Sequence, residues 1–70
     1  MSEVIEAYKQ AIQIQPDHAD AHMHLGFVYI MLNDTGSALD TYRMLKDINP
    51  KMANKLFNLI YREIVLNHLS

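Results

Sequence analysis

Apolar residues return every three or four positions along almost the whole chain, which is the period of an amphipathic helix. Short turn signals interrupt the pattern three times. The first segment sets Val4, Ile5, Tyr8, Ala11 and Ile12 on one face and Glu3, Glu6, Lys9, Gln10 and Gln13 opposite, with Ser2 placed to cap its start. Pro16-Asp17 stops it, because proline lacks the amide donor and restricts the residue before it. Asp17 is the expected cap of a second helix over residues 19–32, and Asp20 near its start suits the helix dipole. Met23, Leu25, Phe27, Val28, Tyr29, Ile30, Met31 and Leu32 make that helix apolar nearly all round, so it expects partners on more than one side. Asn33-Asp34-Thr35-Gly36 is a dense turn signal. A third helix carries Ala38, Leu39, Tyr42, Leu45 and Ile48 to a stop at Asn49-Pro50. A fourth begins at Pro50 or Lys51 with Asn49 as its cap, and its apolar positions include Leu56, Phe57, Leu59, Ile60, Tyr61, Ile64 and Leu66. Nothing alternates with the two-residue period of a strand. The pattern predicts an all-α chain of about four helices.

The pattern also repeats itself. Pro16 and Pro50 lie 34 residues apart, and Tyr8 with Tyr42 and Ile14 with Ile48 are identical pairs at that offset. Ala19 with Ala53, Leu25 with Leu59, Ile30 with Ile64, Leu32 with Leu66 and Asn33 with Asn67 continue it. Fixed self-similarity over roughly 20–50 residues marks a repeat architecture. Such units cannot bury their apolar faces alone and must stack on neighbours. Function is therefore expected on the surface of the stack.

The central unit reads His22-x-x-Leu25-Gly26-x-x-Tyr29, then Ala38-x-x-x-Tyr42, then Pro50. This resembles the tetratricopeptide repeat, whose signature is W-x-x-L-G-x-x-Y, A-x-x-x-F and a closing proline over 34 residues. The resemblance implies antiparallel helix hairpins stacked as a right-handed solenoid fragment, with Gly26 and Ala38 small enough to let the two helices of one hairpin approach. His22 stands where a large aromatic is usual, and Leu45 where a small residue is usual. Residues 2–18 look like the second helix of a preceding repeat, residues 19–52 like a complete repeat, and residues 53–70 like a terminal capping helix. In that last segment Ile60 takes the glycine position and Glu63 the tyrosine position. The first helix then lacks the partner that would cover Val4, Ile5, Tyr8 and Ile12. This is expected of a piece excised from a longer array, or of two copies that cover each other as a homodimer.

Seventy residues is one small domain at most, and a lone domain of that size is marginally stable. No cysteine is present to staple it, yet half of the residues are apolar, so association or close helix packing must supply the stability. The absence of cysteine leaves the compartment open, the cytoplasm being the default expectation. The formal charge of −2 and six scattered basic residues provide no stripe for nucleic acid, which disfavours a DNA-binding helix-turn-helix. Residues 27–32 form the longest apolar run, far short of the ~20 residues that span a membrane. No hydrophobic signal region opens the chain.

The resemblance places ligand binding on a concave face lined by the first helix of each unit. Carried over by position, that face holds Asp20, Met23, His24, Phe27, Ile30 and Met31, with Asn54, Phe57, Asn58 and Tyr61 added from the last helix. Some family members hold a peptide's terminal carboxylate with lysine, asparagine and arginine. Met23 and Phe27 stand at the lysine- and asparagine-type positions here, so that clamp is absent. What remains suits an apolar helix or extended peptide, and methionine adapts to varied shapes. The bland alternative is that these side chains are core. His18, His22 and His24 are the densest candidate ligand cluster, but no second pair is spaced to complete a zinc site, and packing or helix-start roles explain them better. No cofactor is called for. Catalysis has no cysteine, no glycine-rich phosphate loop and no serine with a placed base, since Ser2, Ser37 and Ser70 all sit at helix edges. The expected function is a non-enzymatic protein–protein interaction module, with structural self-association through Val4, Ile5, Tyr8 and Ile12 as the alternative.

Overall fold

A computed structural model describes residues 2–69, which form α1 (Ser2–Ile14), α2 (Ala19–Met31), α3 (Thr35–Ile48) and α4 (Pro50–Leu69). No strand occurs among the described residues. The side chain of Ser2, the expected cap of α1, lies outside the described part.

Local chemistry closes each helix. The cap of α2 is His18 and not Asp17: the Ala21 amide donates to His18 Nδ1 at 3.2 Å. The helix starts at Ala19, so the capping position falls on the residue just before it, and Asp17 stays in the turn. At the other end Asn33 adopts φ 60°, the left-handed conformation that asparagine tolerates. The Asp34 amide donates to Tyr29 C=O at 2.8 Å and the Asn33 amide to Ile30 C=O at 2.9 Å. Those two bonds are the Schellman closure, and they end α2 at Met31 with Leu32 as C-cap, one residue earlier than expected.

Asp34 then starts α3. Its Oδ1 accepts from the Ser37 amide at 3.2 Å and its Oδ2 from the Ser37 hydroxyl at 2.8 Å. Asp34→Ala removes both and should cost about 1 kcal/mol, a loss that chemical denaturation would read; an unchanged midpoint would show that this cap carries no stability. Asn49 Oδ1 accepts from the Met52 amide at 3.2 Å and caps α4, with Pro50 at the first helical position where its missing N–H is harmless.

The second helix is central. It packs against α1, α3 and α4, α3 packs on α4, and α1 reaches only α2. This is why residues 19–32 are apolar nearly all round. Ala38 and Leu45 from α3 meet Ala53, Leu56 and Ile60 from α4 in the main core cluster. Leu45, in the slot that usually takes a small residue, is completely buried. Ile60, in the glycine slot, fills this same core.

Gly26 also makes room for the last helix. A Cβ built on it would lie 2.7 Å from Cδ2 and 2.8 Å from Cδ1 of Leu56, on α4. Its smallness thus admits the side chain of Leu56 from the next unit's first helix. One period later, Asn67 Nδ2 donates to Asn33 Oδ1 at 3.0 Å and joins the far ends of α2 and α4.

Candidate partner-binding face

The concave-face residues divide by burial. Met23 and Ile30 of α2 are half-buried and pack against the core cluster, so they support the face from beneath. His24, Phe27, Met31, Phe57, Asn58 and Tyr61 are exposed, with Met31 at 67% and Tyr61 at 62%. Asp20 and Asn54 are exposed as well. Large apolar side chains on α2 and α4 therefore remain open to solvent although these helices pack on each other.

Ring contacts fix several of these side chains. His24 stacks on Tyr8 of α1 with centroids 5.6 Å apart and planes at 11°, and Phe27 tilts against His24 at 6.4 Å. Phe57 tilts against Tyr42 of α3 at 5.3 Å. Both sets join the second helix of one unit to the first helix of the next. Such contacts contribute ~0.5–1.5 kcal/mol each beyond area burial and restrict the rings that a partner would meet.

Sequence reasoning missed part of this surface. Asn58 and Tyr61 line a cleft of about 390 Å³ together with Arg62, Val65 and Leu66. The three added residues follow at helical spacing from Asn58 and Tyr61, a signal the chain does carry.

The three clustered histidines have separate tasks. His18 caps α2 through Nδ1. His22 is 98% buried: its exposure is 2%, and Nε2 lies 3.0 Å from Pro16 C=O. A carbonyl only accepts, so Nε2 carries the proton and donates, while Nδ1 is buried without a hydrogen-bond partner. His24 Nδ1 donates to Asp20 C=O at 2.8 Å. Among the described residues no group of three or more His, Cys, Asp or Glu side chains could hold a metal.

The α1 face, expected to be bare, is partly covered. Tyr8 packs on His24, and Ile5, Tyr8 and Ile12 are all half-buried. Ile12 lines a groove of about 200 Å³ between α1 and α3, floored by Leu25 and Tyr29. Val4 alone of the four is exposed, at 41%. The open side of α1 is instead a shallow cleft lined by Glu3, Glu6, Ala7 and Gln10.

No helix among the described residues is long and apolar enough to cross a membrane. Residues 2–33 match the family described as TPR repeat. The chain is 38% identical over 48 residues to Protein O-mannosyl-transferase TMTC3 of Homo sapiens, a match covering 69% of this chain and 5% of that protein. No solved structure matches it. The 34-residue register, the four packed helices and these two likenesses agree, and the chain belongs to the tetratricopeptide-repeat family.

Proposed function

We propose that the chain is a protein-docking module that takes an apolar peptide or helix on the face made by α2 and α4. Tetratricopeptide repeats generally mediate protein–protein interaction, and the observation that carries the finer reading is a set of exposed, contact-ordered apolar side chains. Phe27, Met31, Phe57 and Tyr61 remain exposed while Met23 and Ile30 support them. Exposed apolar patches of this kind mark sites of association. Binding by this face is non-covalent and needs no catalytic group. The transferase named in the relative has twenty times the length matched here, and that activity is not assigned to this chain.

Phe27→Ala removes a ring from this surface and one contact to His24. Binding to peptides selected from a displayed library of amphipathic and extended apolar sequences should weaken about 10-fold or more, as expected for truncation of a central aromatic. Helicity should be unchanged. Peptides that bind the Phe27→Ala and native chains equally would place the docking site elsewhere.

A further inference from the structure

The groove between α1 and α3 has a counterpart one period away. Its α3 wall is Ser37, Asp40, Thr41 and Met44. Moved back by the 34-residue period, these become Glu3, Glu6, Ala7 and Gln10, the same four residues that line the open cleft on α1. Among the described residues the cleft on α1 is thus one wall of the groove, without the neighbours that α3 has.

Residues equivalent to the other walls lie on α3 and α4. Lys9 and Ile12 of α1, which face the first groove, shift forward to Arg43 and Lys46 of α3. Its floor, Leu25 and Tyr29, shifts to Leu59 and Glu63 of α4. Ala21 and Val28, both buried in α2, become Lys55 and Arg62, both exposed in α4. The equivalent positions there therefore carry four cations and one carboxylate, while the cleft on α1 presents two carboxylates. Substitutions that would disfavour an interior suit an interface between oppositely charged surfaces.

We propose that this surface binds a second copy of the chain, head to tail. The α1 of one copy lies beside α4 of the next as α3 lies beside α2 within the chain. Glu3 and Glu6 then face the Arg43, Lys46 and Arg62 side, and Ala7 meets Leu59. The α2–α3 packing supplies the template, and the charges supply the direction. The contact is heterologous, so it repeats from copy to copy and does not close as a two-fold dimer. Arg62 also lines the cleft beside Tyr61, but Glu3, Glu6, Arg43 and Lys46 lie outside the peptide-docking face, and the contact does not depend on peptide docking.

The test is molar mass by light scattering of the 70-residue chain over a concentration series, at low and high ionic strength. The mass should rise continuously past the dimer, and rise less when salt screens the charges. Glu3→Lys with Glu6→Lys, and separately Arg43→Glu with Lys46→Glu, should each move the association to roughly 10-fold higher concentration, the scale of two surface ion pairs lost and reversed. All four residues are exposed, so circular dichroism should show intact helices. An equimolar mixture of the two variants should associate again, because each contact then joins opposite charges. The neutral pair Glu3→Gln with Glu6→Gln should lie between the native and reversed chains and lose the salt dependence. A mass fixed at one protomer, a mass that stops at the dimer, or association unaffected by either reversal would overturn the proposal.

Discussion

Leu56→Ala should lower stability by about 2–5 kcal/mol, the range for a leucine truncated in a close-packed core. Leu56 is completely buried and joins the α3–α4 core to α2 through the space that Gly26 leaves open. A chain of this size has roughly 4–10 kcal/mol in total, so the variant should be largely unfolded or near its midpoint in mild denaturant. Gly26→Ala supplies the complementary test. Alanine is a better helix former by ~1 kcal/mol, but its Cβ would meet Leu56, and overpacking costs about 1–3 kcal/mol. In the native background the net change should be a loss of roughly 1 kcal/mol, since buried Leu56 has little room to turn. In the Leu56→Ala background the same change should become stabilising. The two substitutions would then couple by at least ~1 kcal/mol in a double-mutant cycle. Additive effects would show that Leu56 does not occupy the glycine's space.

His22→Ala should cost about 2–4 kcal/mol through lost packing and the lost bond to Pro16. His22 is buried at the start of α2, and its Nε2–H holds the carbonyl of the residue that ends the α1 turn. It therefore ties the end of one unit to the beginning of the next. His22→Phe fills the space with a somewhat larger ring, loses the bond and removes the unpartnered Nδ1. Those last two effects oppose each other, so the phenylalanine variant should stay within about 1 kcal/mol of the native chain. Thermal unfolding of both variants reads the difference. Equal losses for Ala and Phe would mean that the hydrogen bond, and not the filled space, makes this position matter.

Both positions mark the boundary of what the chain reveals by itself. The four helices, their turns and the family were legible because each rests on local chemistry: the 3.6-residue period, prolines at Pro16 and Pro50, the turn signal at residues 33–36, the cap at Asn49, and the 34-residue register. The helix positions of Phe27, Met31, Phe57 and Tyr61 were legible from the repeat register, and all four side chains are exposed. The cap of α2 falls on His18, one residue after the expected Asp17, a shift that composition cannot resolve when two residues could each accept from the first turn.

By itself the sequence determined the element order, the bounds of α2 and the start of α4 to within a residue, and the repeat family, all consequences of interactions within a few residues or of a strict period. Only the tertiary structure decided which side chains those helices share. It turned Gly26 toward Leu56, set Tyr8 against His24 and left Glu3, Glu6, Ala7 and Gln10 as the open side of α1. The physical reason is that hydrophobic burial is non-directional. An apolar position says that a side chain will be covered, and only packing between helices chooses what covers it.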